Sequence, residues 1–186
     1  MDSFEQRKKD ILKKEDKSSK GSWDLKVKDL CEKINSNLNY YTTSSCSGKC
    51  VLLEERTGKN GSYYLWTSHE SIIFEELFLA IDNIGSKNVV KFKSESPIIF
   101  VVCRDIDFAK KLLKEAVSSG FKESGIKITE KLIGVEIRSG EKLEFPLMKE
   151  GNLLVSNDFL NEIINQSNSR RKIGWEKIEK LILNLS

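Results

Sequence analysis

The stretch Thr42-Thr43-Ser44-Ser45-Cys46-Ser47-Gly48-Lys49 joins two segments that have the composition of β-strands. The aromatic pair Tyr40-Tyr41 precedes it, and the apolar run Cys50-Val51-Leu52-Leu53 follows it. Its hydroxyl groups and backbone N–H groups can bind an anion or a cofactor, because Gly48 allows a ligand to approach the main chain closely. The alternative is an ordinary polar hairpin between two strands, since Ser, Thr and Gly also dominate turns.

Two other polar connections flank this stretch in the sequence. Lys17-Ser18-Ser19-Lys20-Gly21 lies upstream, and Trp66-Thr67-Ser68-His69 lies downstream. Three such connections around one pair of strands favour the binding interpretation. We therefore expect them to converge on one pocket.

The composition is that of a globular chain with a highly charged surface. Its 186 residues suit one compact domain with a proper core. The chain is only mildly basic, with 31 Lys and Arg residues against 28 Asp and Glu residues. The basic residues concentrate near the two ends, at Arg7, Lys8, Lys9, Lys13, Lys14, Lys17, Lys20, Arg170, Arg171 and Lys172. Such patches can steer a polyanion, or they can be solvated helix faces.

Neither a membrane span nor a metal site is predicted. No apolar run approaches the roughly 18 residues that a span needs, and the charged N-terminus lacks the apolar part of a signal peptide. We therefore expect a cytoplasmic protein. The 4 cysteines are too few and too scattered for a disulfide framework. Cys46 and Cys50 do not have C-x-x-C spacing, and no second pair or histidine cluster completes a zinc site, so we expect no metal.

Apolar residues at helical spacing predict several helices. These lie over residues 4–15, 22–38, 71–83, 105–119, 158–166 and 174–185. Ser22 is the expected N-cap of the second helix, and Asp105 or Asp107 that of the fourth. Asp24 then falls in the first turn of the second helix, where the helix dipole favours an acid.

Short apolar or alternating runs bounded by turn residues predict strands. These lie over residues 40–44, 50–55, 62–67, 88–93, 98–103, 126–129, 132–138, 142–147 and 153–156. The turn Gly58-Lys59-Asn60-Gly61 predicts a hairpin between the second and third strands.

Helices mixed with meandering strands predict an α+β fold, with a mixed or mostly antiparallel sheet packed with helices. We expect a single domain over residues 1–186, with a basic helix in residues 1–20 and a pair of helices in residues 156–186. The strand-helix-strand passage over residues 98–138 can add parallel pairing. No G-x-G-x-x-G follows a first strand and no Walker A sequence is present, which argues against a Rossmann methyltransferase or dehydrogenase.

Four blocks of the sequence resemble successive motifs of one known family. They are Asp16-Lys17-Ser18-Ser19-Lys20-Gly21-Ser22-Trp23-Asp24, Thr42-Thr43-Ser44-Ser45-Cys46-Ser47-Gly48, Trp66-Thr67-Ser68-His69 and Gly120-Phe121-Lys122-Glu123-Ser124-Gly125-Ile126. The similarity continues through Arg138-Ser139-Gly140, Leu143-Glu144-Phe145-Pro146-Leu147 and the C-terminal helices. On these motifs the chain resembles the archaeal form of the tRNA wybutosine-synthesising protein family responsible for the N4-methylation step.

The resemblance implies an S-adenosylmethionine-dependent tRNA N-methyltransferase of wybutosine-derivative biosynthesis. The implied acceptor is N4 of 7-aminocarboxypropyl-demethylwyosine, beside the anticodon of tRNA-Phe, so the implied partner is the anticodon loop of that tRNA. The chain departs from the family at Lys49, where the family more often has arginine. Lysine keeps the charge but lacks the planar fork that makes bidentate contacts.

Methyl transfer from a sulfonium depends on positioning and on removal of the acceptor's proton. His69 is the only histidine and suits the role of base, with Asp24 as the alternative; otherwise His69 is a hydrogen-bonded residue at a strand end. The expected cofactor-binding residues are Ser45, Ser47, Gly48 and Lys20. The expected substrate-binding residues are Ser18, Lys49, Tyr64, Trp66, Ser124 and Arg138. Tyr64 and Trp66 can stack on a base, or they can belong to the sheet core.

Two other functions stay open on the residues. A tRNA-binding module that presents the anticodon loop to other enzymes would use the same basic clusters and aromatic residues without chemistry of its own. An intact stretch of hydroxyls and glycine together with His69 favours catalysis over this alternative. The third function is a small anion-binding regulatory domain, which would be indifferent to tRNA.

Overall fold

The structure is a computed structural model that describes residues 3–13, 24–56 and 61–185. The helices in these ranges are α1 Ser3–Leu12, α2 Leu25–Ser36, α3 Phe74–Asp82, α4 Ile106–Ser118 and α5 Asn157–Asn184. The strands are β1 Tyr40–Cys46, β2 Lys49–Glu54, β3 Tyr63–Ser68, β4 Val90–Glu95, β5 Ile98–Cys103, β6 Gly125–Ile128, β7 Ile133–Arg138, β8 Leu143–Lys149 and β9 Asn152–Leu153. The predicted cap Ser22 and most of the predicted turn at residues 58–61 lie outside the described residues.

The strands form two antiparallel sheets, and each sheet is the centre of one compact unit. The first sheet has the order β1-β5-β7-β6 and belongs to unit 1, which consists of residues 1–47, 97–140 and 174–186. The second sheet has the order β3-β2-β4-β8-β9 and belongs to unit 2, which consists of residues 48–96 and 141–173. The predicted α+β class is therefore confirmed.

Two predicted strand relationships are wrong. β1 and β2 are not a hairpin, because β1 pairs with β5 in the first sheet and β2 pairs with β3 and β4 in the second. The chain passes from one unit to the other between Ser47 and Gly48, inside the polar stretch. The passage over residues 98–138 also adds no parallel pair. β6, which follows α4, runs in the direction of β5, but β7 lies between them and pairs antiparallel with both.

Unit 1 buries its apolar residues between the first sheet and helices α2, α4 and the end of α5. The core side chains of α2 repeat at the i, i+3, i+4, i+7 spacing that predicts one apolar helix face, as Val27, Leu30, Cys31 and Ile34. Asp105 caps α4 as predicted, because its carboxylate accepts hydrogen bonds from the backbone N–H groups of Asp107 and Phe108.

Unit 2 packs α3 and the first part of α5 against the second sheet. Alternate residues of β4 are buried, which places Val90 and Phe92 in the core and directs Lys91 and Lys93 to the other face. The confirmed hairpin joins β2 to β3, with Cys50 opposite Ser68. α5 contributes a row of buried residues, namely Leu160, Ile163 and Ile164.

The C-terminal region is one helix rather than the predicted pair. The polar run between the two predicted helices continues the buried face of α5, because Ser167 is fully buried and Arg171 is only 2% exposed. Gly174, the predicted start of a second helix, lies inside α5. A side chain there would meet Pro97, with a Cβ only 2.8 Å from the proline Cδ, so this glycine allows a close approach within unit 1.

In residues 3–13, 24–56 and 61–185, no helix combines the length and apolar character needed to cross a membrane.

Gly134 and Gly125 offer a matched test of packing in the first sheet. A Cβ at Gly134 in β7 would lie 2.7 Å from Phe100 Cζ and 3.0 Å from the Val101 carbonyl oxygen, whereas a Cβ at Gly125 in β6 would meet nothing within 4 Å. We expect Gly134→Ala to lower the free energy of unfolding by about 1–3 kcal/mol through overpacking. Urea denaturation with Gly125→Ala as the control checks this, and equal stability of the two variants would contradict it.

Candidate functional site

A β-bulge in β1 directs two hydroxyl groups to the same place in unit 1. The register of β1 against β5 shifts between Thr42 and Ser44. Residues three apart normally point to opposite faces of a strand, but Thr42 and Ser45 both form hydrogen bonds with the thiol of Cys31 because the bulge adds one residue. Burial raises the pKa of the Cys31 thiol, and these two hydrogen bonds partly offset that effect.

Asp24 connects the start of α2 to the end of the polar stretch. It is the N-cap of α2 rather than a first-turn residue, and its Oδ1 accepts from the Lys26 backbone N–H at 3.2 Å. Its Oδ2 accepts from the backbone N–H of Ser47 at 2.7 Å. A hydrogen bond of this length to a carboxylate is among the stronger ones in proteins. Asp24 therefore fixes the backbone at Ser47.

Ser47 and Gly48 are buried where the chain leaves β1. Ser47 has no exposed surface, and its Oγ has no hydrogen-bond partner among the residues that the structure describes. A buried hydroxyl without a partner costs free energy, so a hydrogen bond from a ligand to this group would be favourable. Gly48 has φ 97°, which lies in the left-handed region that favours glycine. The 45–48 segment thus combines a fixed backbone with an available hydroxyl group.

The predicted substrate residues Ser124 and Arg138 are neighbours in unit 1. The Ser124 hydroxyl accepts from the Arg138 backbone N–H at 3.0 Å and lies 3.4 Å from the Arg138 carbonyl oxygen, to which it donates. The Arg138 guanidinium lies 3.4 Å from Glu136 Oε1. The Ser124 hydroxyl therefore contributes to strand structure, and the role of both residues in substrate binding stays a prediction.

In unit 2, Lys49 and Tyr64 form a cation–aromatic pair. The Lys49 Nζ lies 4.5 Å from the centre of the Tyr64 ring and 3.6 Å from Glu95 Oε2. Tyr64 is 50% exposed on the edge strand β3. It therefore does not belong to the sheet core, which was the alternative to base stacking for this residue. An exposed ring beside an ammonium group is suited to stacking against a base.

Trp66 is partly buried against the core of unit 2 and lines a groove of about 330 Å³. The other lining residues are Leu65, Ala80, Asn83, Ile84, Gly85 and Ser86. Polar side chains of this groove already have partners, since Asn83 donates to the Leu79 carbonyl oxygen and Ser86 donates to Glu54. Trp66 therefore contributes to the core of unit 2, and its role in stacking on a base stays a prediction.

His69 follows the last residue of β3 in a connection that leads to α3. The preceding Ser68 is buried, and its Oγ both donates to the Glu70 carbonyl oxygen and accepts from the Glu70 N–H. Helix α5 contributes two residues that sequence reasoning missed. Asn168 bonds to the backbone of Ile72, and Arg171 donates to the carbonyl oxygen of Ser68.

The sequence suggested that Arg171 belongs to a basic surface cluster, and this interpretation is wrong because Arg171 is buried. The available signal was spacing: Leu160, Ile164 and Arg171 fall on one helical face. The predicted cofactor residue Lys20 and substrate residue Ser18 lie outside the described residues.

Residues 6–186 match the sequence model of the family described as "Methyltransferase TYW3". The chain therefore belongs to this methyltransferase family. The predicted resemblance is confirmed, and the family implies S-adenosylmethionine as the methyl donor.

Named relatives and solved structures agree with this assignment. The chain is 35% identical over 180 residues, covering 95% of this chain and 93% of the relative, to the "tRNA(Phe) 7-((3-amino-3-carboxypropyl)-4-demethylwyosine(37)-N(4))-methyltransferase" of Methanocaldococcus jannaschii. It is 30% identical over 186 residues, covering 97% of this chain and 73% of the relative, to the "tRNA wybutosine-synthesizing protein 3 homolog" of Xenopus laevis. The solved structure of the PH1069 protein from Pyrococcus horikoshii superposes with a TM-score of 0.90 at 35% identity, covering 98% of this chain and 96% of that chain.

The hydrogen bonds of Asp24 predict a measurable stabilisation of unit 1. We expect Asp24→Ala to lower the free energy of unfolding by about 2 kcal/mol, because the substitution removes a helix cap and leaves the buried Ser47 N–H without an acceptor. Asp29→Ala, which removes an exposed acid from the same helix, is the control. Urea denaturation of both variants checks the difference. A loss no larger than that of the control would show that the Asp24 carboxylate does not hold this junction.

Proposed function

We propose that the chain is an S-adenosylmethionine-dependent methyltransferase that methylates N4 of 7-aminocarboxypropyl-demethylwyosine next to the anticodon of tRNA-Phe. The names of the archaeal relatives support the substrate and the reaction, at 35% identity for the Methanocaldococcus jannaschii protein and 36% for a Pyrococcus horikoshii protein. The structural observation that carries the proposal is the buried Ser47 hydroxyl, which has no partner among the described residues.

The 45–48 segment has the donors that the amino-acid end of S-adenosylmethionine requires. Ser47 supplies a buried hydroxyl at a backbone position that Asp24 holds in place. Gly48 has no side chain to keep a ligand from its main chain, and Ser45 adds a second hydroxyl beside Cys31. The residues therefore fit the cofactor, and we assign its carboxylate to Ser45, Ser47 and Gly48. Lys20 stays a predicted contributor. S-Adenosylmethionine, when bound, supplies an electrophilic methyl group on a sulfonium.

His69 is the stronger candidate for the base. Both carboxylate oxygens of Asp24 accept hydrogen bonds from backbone N–H groups, so this side chain already serves the cap of α2 and the position of Ser47. An imidazole gains and loses a proton between about pH 5 and 8. In this proposal one ring nitrogen of His69 takes the proton that the acceptor nitrogen releases, and the role of Asp24 is to position the 45–48 segment.

The modified base and the tRNA need further contacts. We assign stacking on the base to Tyr64, with Lys49 beside it for a negatively charged group. Trp66, Ser124, Arg138 and Ser18 stay predicted substrate-binding residues.

The basic helix α1 is a candidate for contact with the anticodon stem. Burial lowers the pKa of Lys8, and the nearby Arg104 guanidinium lowers it further. Two cations that repel each other favour a phosphate between or beside them. Arg104 also pairs with Glu5, and Arg7 donates to the Lys131 carbonyl oxygen. These contacts limit the conformational freedom of the two arginine side chains before tRNA binds.

Methyl transfer to tRNA from cells that lack this activity tests the proposed function. We expect nucleoside mass analysis to show the gain of one methyl group on the tricyclic base. His69→Ala should lower kcat by about 10²–10⁴-fold, the usual contribution of a general base, while tRNA affinity is retained. Glu70→Ala changes the exposed neighbour of His69 and serves as the control.

A wild-type chain that binds both S-adenosylmethionine and the tRNA without transferring a methyl group would overturn the catalytic proposal. The non-catalytic tRNA-binding module would then take its place. Indifference to tRNA would instead favour the anion-binding regulatory domain.

A further inference from the structure

Helix α5 holds both ends of the connection that carries His69. This connection, the 68–72 segment, follows β3 and leads to α3 in unit 2. Asn168 and Arg171 are three residues apart on α5, which places their side chains on neighbouring positions of one helix face. One side chain bonds to residue 72 and the other to residue 68. The helix therefore contacts the backbone on both sides of His69.

The contact at Ile72 is bidentate. The Asn168 Oδ1 accepts from the Ile72 N–H at 3.0 Å, and the Asn168 Nδ2 donates to the Ile72 carbonyl oxygen at 2.8 Å. The amide side chain thus satisfies both polar groups of one backbone residue, as a neighbouring strand would. Ile72 itself is 1% exposed and packs in the core of unit 2, so this end of the segment is fixed by packing as well.

The contact at Ser68 uses a buried guanidinium. Arg171 Nη1 lies 3.4 Å from the Ser68 carbonyl oxygen and 3.5 Å from the Cys50 Sγ, and Cys50 is opposite Ser68 in the pairing of β2 with β3. A buried charge costs several kcal/mol in typical proteins unless hydrogen bonds compensate it. If this position of α5 needed only packing, leucine would fill it without the free-energy cost of burying a charge. The buried charge therefore indicates that the guanidinium has a function beyond packing.

We propose that Asn168 and Arg171 are positioning residues for His69. They hold the Ser68 carbonyl, which precedes His69 directly, and the backbone of Ile72, three residues after His69, and thereby limit the orientations that the imidazole can adopt. The proposal rests on the proposed function for the role of His69 in methyl transfer, but the fixing of the segment can be tested separately. Catalysis by a positioned base is sensitive to such support, since a displacement of about 1 Å can cost roughly 10²-fold in rate.

Kinetics of Asn168→Ala test the catalytic part of the proposal. We expect kcat to fall by about 10-fold or more, with the KM for tRNA and the Kd for S-adenosylmethionine unchanged, because the base loses its orientation. Asn184→Ala is the matched control. Asn184 lies on the same helix and also donates hydrogen bonds, but its acceptors are the hydroxyl groups of Ser118 and Ser119 at the C-terminal end of α4 in unit 1. We expect this variant to keep the wild-type kcat.

The imidazole signals of the protein test the positioning part directly. The chain has 1 histidine, so an untagged protein gives one set of imidazole resonances that needs no assignment. We expect one sharp set in the wild type and in Asn184→Ala. In Asn168→Ala and Arg171→Gln the signals should broaden, split or move towards those of a free histidine side chain. Arg171→Lys keeps the charge without the planar fork and should give a partial effect.

The two measurements separate the possible failures. Unchanged imidazole signals in Asn168→Ala overturn the positioning proposal, whatever happens to kcat. Altered signals with a wild-type kcat support positioning of the segment and refute the catalytic role of His69. A fall in kcat together with altered signals supports both. If Arg171→Gln does not fold, Asn168→Ala and Arg171→Lys decide the outcome.

Discussion

The hydrogen bond between the Asp24 carboxylate and the Ser47 N–H is the constraint on which the candidate cofactor segment depends. It spans 2.7 Å and joins residues 23 apart in the chain. The same carboxylate caps α2, so the position of Ser47 is set by a helix whose apolar face is embedded in the core of unit 1. A loop that is hydrogen-bonded to a rigid helix keeps its hydroxyl group in position before a ligand binds. Binding then does not carry the entropy cost of ordering the loop.

The same device occurs in unit 2 with different residues. There α5 holds the connection that carries His69, through the side chains of Asn168 and Arg171, which bond to the backbone of Ile72 and Ser68. In both units a short polar connection is fixed by a helix that packs on the sheet. The two connections belong to the motifs that carry the family resemblance. This arrangement suits a methyl transfer in which positioning supplies much of the rate acceleration.

Local patterns could be predicted from the sequence, and the partners of strands and polar side chains could not. The apolar face of α2 and the Asp105 cap follow from spacing and residue type within a few positions. The alternation in β4 indicates which of its residues are buried, but it does not indicate which strand lies beside it. The same holds for β1 and β2, which are adjacent in the sequence and were therefore predicted as a hairpin, although they belong to different sheets. Arg171 was interpreted as part of a surface patch because its hydrogen-bond partner Ser68 is distant in the sequence. The hydrogen bond between Asp24 and Ser47 could not be predicted for the same reason.

Calorimetric titration of Ser47→Ala with S-adenosylmethionine tests the central claim most directly. The Ser47 Oγ has no partner among the described residues, so its removal leaves none of their polar groups without a hydrogen-bond partner. Ser94→Ala is the control, because Ser94 is also a buried serine whose Oγ lacks a partner in the described ranges. The account predicts that Kd rises by about 10-fold or more in Ser47→Ala, the usual effect of losing a hydrogen bond to a charged group, and stays at the wild-type value in Ser94→Ala. Equal, wild-type affinity in both variants would contradict it.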